Sequence, residues 1–122
     1  MGGMGGAVET ATRLWRAMEE RDWEQVESLL DADFESFWPQ SGERFKKERY
    51  LEINRDYPGD WHIRVINVLD AGEWAVSEVE VDIDGRVDRA VSFFEVVDGR
   101  ILRLREYWPE PMKIPEWRRS AD

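Results

Sequence analysis

The hydrophobic positions of this chain change rhythm near residue 60. Upstream, Val8, Ala11, Leu14, Trp15 and Met18 recur three and four residues apart, which predicts an amphipathic helix over about residues 7 to 21. Asp22, with Gln25 three positions on, has the form of a capping box and opens a second helix that turns Trp23, Val26, Leu29 and Leu30 inward. "DFESFWPQSG" then predicts a short strand, stopped by Pro39 and Gly42. A third helix is predicted over about residues 43 to 57, presenting Phe45, Tyr50, Ile53 and Tyr57 on one side and ending at "YPGD".

Downstream the period is two. "WHIRVINVL", "EWAVSEVEVDI", "RVDRAVSFFEVV" and "RILRLREYW" are four strand-like runs, joined by "DAGE", Asp84-Gly85 and Asp98-Gly99. Asp-Gly between alternating runs is a strong hairpin signal, because both residues tolerate the positive φ of the tightest turns. The prediction is an α+β domain: three N-terminal helices packed on one face of a curved antiparallel sheet. Residues 1 to 6 are expected to be a flexible leader, residues 7 to 110 the domain, and residues 111 to 122 a tail laid along the body through Met112, Ile114 and Trp117.

A two-residue turn at Asp84-Gly85 pairs Ile83 with Arg86 and fixes the faces. Ser77, Val79, Val81, Asp88, Ala90, Ser92, Phe94 and Val96 then face the helices. The opposite face carries Val76, Val91, Phe93 and Tyr107 among charges, a composition suited to a subunit interface, so a homodimer is expected. Continuing the register through "DAGE" turns His62, Arg64, Ile66 and Val68 inward. In the last run Leu102, Leu104, Glu106 and Trp108 share a face, which puts a lone carboxylate among apolar neighbours.

Composition narrows the chemistry. The chain has 122 residues, a net charge of -10, no cysteine and one histidine. The acidic balance argues against nucleic acid, whose phosphates need a basic surface. Without cysteine there is no disulfide, thiol nucleophile or thiolate metal site, and one histidine without clustered carboxylates argues against zinc. "DIDG" lacks the later ligands of a calcium loop. No run approaches the roughly 20 apolar residues of a membrane span, and the glycine-rich start lacks the apolar core of a signal peptide. The expected compartment is the cytoplasm, with no metal and no cofactor.

Glu106 is the leading candidate for chemistry, since a carboxyl in an apolar cavity has its pKa pushed toward neutrality, where it can take and give a proton. His62 is the second catalytic candidate, against a plain strand-end histidine. Trp15, Met18, Trp38, Phe94, Leu104 and Trp108, with Ser92, are candidates for a ligand cavity, against the simpler reading of each as packed core. Tyr50, Asn54 and Tyr57 share one face of the third helix, where a phenol or amide can orient a ligand oxygen.

The segments "ATRLWRAMEERDWEQVESLLDADFESFWP" and "FFEVVDGRILRLREYW" resemble the nuclear transport factor 2-like superfamily, and within it the SnoaL-like, polyketide-cyclase-like small proteins. The resemblance spans about residues 7 to 110. It implies a cone in which a curved sheet wraps an apolar cavity closed by helices, and dimerisation through the sheet. Steroid isomerases of this superfamily carry catalytic groups at positions that match Trp38, Leu14 and Ser92 here, so those three roles are missing. Its epoxide hydrolases carry a last-strand acid in a segment that "REYW" matches at Glu106; their arginine and other acid fall near Glu78 and Glu80, with no arginine between. Its cyclases rely on a pocket acid and a histidine, for which Glu106 and His62 are the candidates. The resemblance thus implies a small-molecule-binding protein, as a cofactor-free acid-base enzyme on an apolar cyclic substrate (isomerase, cyclase, dehydratase or epoxide-hydrolase type) or as a non-catalytic ligand-binding or dimerisation module.

Overall fold

The structure, a computed structural model, describes residues 6–110 and 112–119. Residues 1–5 of the expected leader, and residues 111 and 120–122 of the expected tail, lie outside them. Helix α1 (Ala7–Glu19) follows Gly6 and buries Ala11, Leu14, Trp15 and Met18, the apolar stripe read from the sequence. Arg21, at φ 61°, ends it. Asp22 caps α2 (Trp23–Leu29) by accepting from the Gln25 backbone N–H at 3.1 Å.

Strand β1 (Leu30–Trp38) begins directly at Leu30 and alternates Phe34 and Ser36 inward. The predicted third helix is corrected at its start. Residues 43–46 form strand β2 (Glu43–Lys46), which folds back antiparallel on β1 with Glu43 opposite Trp38 and Lys46 opposite Glu35. Trp38 O accepts from the N–H groups of Ser41 and Gly42, and that turn delivers the chain to the β1 edge before a helix can start. Helix α3 is therefore Lys47–Arg55.

Strands β3 (Trp61–Ala71), β4 (Trp74–Ile83), β5 (Arg86–Val97) and β6 (Arg100–Tyr107) form the meander. The sheet order is β2-β1-β6-β5-β4-β3. The sheet is mixed, not purely antiparallel: β1 runs parallel to β6, a pairing between the two ends of the chain that no local turn announces. Three helices cover one face of this curved sheet.

Asp84 (φ 52°) with Gly85 (φ 90°), and Asp98 (φ 52°) with Gly99 (φ 76°), occupy the left-handed region that two-residue hairpins require. Ile83 pairs with Arg86, and the inward row Ser77, Val79, Val81, Ala90, Ser92, Phe94 and Val96 is buried as the register predicts, with Asp88 half-buried. Two bulges alter the rest. In β6 the register shifts between Glu95 and Val96, whose partners are Arg103 and Ile101. Ile101 is thereby buried and Leu102 only half-buried, which corrects the placement of Leu102 on the inner face.

In β3 the turn register holds from Ala71 back to Val68, which lies opposite Ser77 and packs on the core. A bulge between Val65 and Asn67 then reverses the alternation, so Trp61 and Ile63 face inward while His62 and Arg64 lie across from Asp82 and Glu80 on the outer side. The inward placement of His62, Arg64 and Ile66 is corrected accordingly. The tail is corrected as well: Met112, Ile114 and Trp117 are 71%, 58% and 84% exposed, so they do not lie along the body.

Candidate functional site

The helices and the concave sheet face enclose a cavity of about 540 Å³. Its walls come from α1 (Trp15, Met18), from α3 and the loop after it (Tyr50, Asn54, Tyr57), and from β1 and the end of β6 (Trp38, Glu106, Trp108). Eight of the sequence candidates thus meet at one cavity. Ser92, Phe94 and Leu104 are buried beneath it without lining it. Phe94 stacks edge-on against Trp15 with ring centroids 6.0 Å apart, a core contact.

Glu106 stands near the end of β6 and is 2% exposed. Its strand alternates Leu104 and Glu106 inward, so the pleat that packs the leucine also buries the carboxyl. Burial of the charge without a partner would cost several kcal/mol. Two donors meet it: Ser92 Oγ, directly opposite on β5, donates to Oε2 at 2.9 Å, and Trp38 Nε1 donates to Oε1 at 3.1 Å. Loss of hydration raises its pKa from 4.5 to about 7, with the Ser92 and Trp38 hydrogen bonds opposing that rise. At neutral pH the group is poised between acid and base.

Tyr50 is 1% exposed, lines the cavity, and its phenol has no hydrogen-bond partner among the described residues. Burial, and then the charge of Glu106, push its pKa well above the usual phenol value, so it remains a donor. Asn54 Nδ2 is tied back to Tyr50 O at 2.8 Å, which fixes the amide on the helix. Trp38 and Trp108 meet edge to face, centroids 6.5 Å apart, and form the wall beside Glu106.

His62 does not join this group. Its Nδ1 lies 3.0 Å from Glu19 Oε2 and its Nε2 3.2 Å from Asp60 Oδ1, on an exposed edge. The hydrogen bond with Glu19, then the charge of Asp60, raise its pKa. Glu19 also accepts from Ile63 N at 2.7 Å, so His62 belongs to a clamp that fastens the end of α1 to β3. Glu78 and Glu80, matched to the epoxide-hydrolase acid, face outward and contact Arg89 at 3.7 and 2.7 Å.

Sequence reasoning missed Trp61, Ile63 and Ile83 as cavity walls, and the Arg86–Asp88 pair (2.9 and 3.2 Å) at its mouth. The Asp84-Gly85 register could have yielded Ile83 and Asp88; the bulge concealed Trp61 and Ile63. No group of three or more His, Asp or Glu among the described residues is placed to hold a metal ion. No helix among them is long and apolar enough to cross a membrane.

Helices over the concave face of a curved mixed sheet, with a carboxyl inside, are the arrangement of the nuclear transport factor 2-like class. The chain belongs to the SnoaL-like domain family, whose model matches residues 11–104. It is similar to a candidate ketosteroid isomerase of Kribbella flavida, at 31% identity and TM-score 0.87 over 95% of this chain and 89% of that one. An NTF-2 like protein of unknown function from Burkholderia xenovorans aligns at 25% identity and TM-score 0.78, covering 90% of this chain and 88% of that one. An epoxide hydrolase of M. tuberculosis shares the fold at 20% identity and TM-score 0.69, over 84% of this chain and 82% of that one. No curated protein matches the chain.

Proposed function

We propose that the protein is a cofactor-free acid-base enzyme that moves a proton within an apolar cyclic substrate, of the isomerase or cyclase type. The observation that carries this is Glu106, a buried carboxyl on a cavity wall with a pKa near 7. Its base form takes a proton from a carbon beside a carbonyl, and its acid form returns that proton at the conjugated position. Tyr50, an unpartnered phenol in the same cavity, donates to the carbonyl oxygen as negative charge develops there. Among the described residues no arginine or second acid of the cavity contacts Glu106, whose partners are Ser92 and Trp38, while Arg86 and Asp88 pair with each other at the mouth, so hydrolysis of an epoxide by a water-activating set fits less well. His62, outside the cavity, has no part in the step.

A second reading, a ligand-binding module without chemistry, is favoured by one detail: each oxygen of Glu106 already holds a protein donor. Hydrogen–deuterium exchange separates the two. Cyclic enones incubated with the protein in heavy water should gain deuterium beside the carbonyl, and Glu106→Gln should abolish that gain. Equal exchange by the Glu106→Gln variant refutes the enzyme reading; binding without exchange favours the module.

The assembly proposed is a homodimer through the outer sheet face. Support comes from half-buried Val76, Val91 and Phe93 beside exposed Tyr107, with Phe93 and Tyr107 in edge-to-face contact at 6.1 Å. Light scattering should give a dimer mass at micromolar concentration and a monomer mass for Val91→Glu; a wild-type monomer refutes it.

A further inference from the structure

The polar groups of the cavity are unbalanced in sign. Four carboxyl groups line it, those of Glu43, Asp88, Glu106 and Glu110, against two arginines and no lysine. Both arginines are committed. Arg86 holds Asp88 through two hydrogen bonds, and the Arg89 guanidinium contacts Glu78 and Glu80 on the far side of the sheet. Glu43, Glu106 and Glu110 therefore have no cationic partner among the described residues, and Glu43 is met only by the Ser41 hydroxyl at 2.6 Å.

The walls are aromatic to an unusual degree. Trp15, Trp38, Trp61, Trp108, Tyr50 and Tyr57 all line the one cavity. Aromatic faces carry negative quadrupole potential and attract cations, most strongly where water is excluded. Neutral apolar ligands would be served as well by leucine and valine, and an anion would be repelled by three unpaired carboxyls. Aromatic walls and unpaired carboxyls together favour one kind of guest. We propose that the ligand is an apolar ring compound bearing a positively charged amine, the cation seated between the tryptophan walls and the Glu106 carboxylate. Glu43 and Glu110 at the mouth would draw the cation in.

This inference rests on the reading of the cavity as a ligand site and holds whether or not Glu106 then moves a proton. The groups facing Glu106 are Trp38 from β1, Ser92 from β5, Tyr50 from α3 and Trp108 beyond β6; the charged groups elsewhere on the cavity are Arg86, Arg89, Asp88, Glu43 and Glu110. Only Glu106 among them is buried with a pKa near neutrality, so a cation beside it should bind better as it ionises.

The test compares three probes of one shape: phenyltrimethylammonium, its neutral carbon isostere tert-butylbenzene, and anionic benzenesulfonate, each followed by quenching of tryptophan fluorescence. The cation should bind about tenfold or more tighter than the isostere at pH 8, as cation–π attraction plus one charge partner supplies. That preference should shrink at pH 6 and lose its pH dependence in Glu106→Gln. A neutral isostere or an anion that binds as well as the cation overturns the proposal and leaves the ligand-site reading standing. A cation preference indifferent to pH and to Glu106→Gln overturns the seat at Glu106. Failure of all three probes to bind at millimolar concentration counts against the proposal and against a ligand site together.

Discussion

Replacing Glu106 with glutamine keeps the shape of the side chain and removes the charge that burial opposes. In the Glu106→Gln variant the amide oxygen would still accept from Trp38 Nε1, and the amide N–H would find the Ser92 hydroxyl, which can turn and accept. The folded protein holds the Glu106 proton up to a pKa of about 7, against 4.5 for the free group. At about 1.4 kcal/mol per pH unit, the cost of ionising the buried group is about 3 kcal/mol. The sign follows from proton counts. Between pH 4.5 and about 7 the folded state keeps a proton that the unfolded state has released, so raising the pH removes stability, and above about 7 the loss is complete. Urea unfolding of both proteins at pH 4.5 and pH 8.5 should show wild type losing about 3 kcal/mol relative to Glu106→Gln, since every other titrating group cancels in the comparison. A difference between the two proteins that stays constant within about 0.5 kcal/mol would mean that the carboxyl is not desolvated as described.

Ser92→Ala removes a hydrogen bond that favours the ionised carboxylate, so the Glu106 pKa should rise above its value of about 7; a glutamate-labelled NMR titration that finds it unchanged or lower contradicts this. Asp22→Ala takes away the α2 cap and should cost about 1 kcal/mol in urea unfolding, with no change in ligand binding. Removal of residues 111–122 should leave the unfolding midpoint of the protein where it was, because Met112, Ile114 and Trp117 are exposed; a drop of several degrees would show that the tail covers apolar surface.

Local chemistry made much of this fold readable. Asp84 and Asp98 adopt positive φ beside their glycines, as paired Asp-Gly turns demand, and the first of these turns carries its register unbroken from the Ile83–Arg86 pair to the Trp74–Glu95 pair. Glu106 was readable for the same reason: Leu104 and Glu106 stand two apart, and the pleat carries both inward. The misplacements share a cause. "HIRVINVL" has apolar residues at 63, 65, 66, 68 and 69, a run in which an extra residue leaves either face apolar enough to bury, so the bulge at Ile66 has no signature in the pattern. Leu102 was misplaced by the second bulge, where Ile101 and Leu102 are interchangeable in hydrophobicity. The parallel pairing of β1 with β6 depends on contacts between the two ends of the chain, and residues 43–46 became a strand because β1 offers a free edge there. The sign of the cavity was hidden too, since it depends on which arginines turn outward.

The bulge in β3 also sets the evolutionary distance between two kinds of chemistry. A one-residue slip that drew Ile66 into the ladder opposite Val79 would continue strict alternation below Val68, carrying His62 and Arg64 to the concave wall and sending Trp61 and Ile63 to the outside, whereas deleting Ile66 would leave all four where they are. The cavity would exchange two apolar walls for an imidazole and a guanidinium, opposite a carboxyl already in place on β6. One register slip, with no substitution at all, therefore separates a wall that only shapes a guest from one that can share protons with it. A shift in the register of this strand is a shorter route to new reactivity on this scaffold than point changes around Glu106.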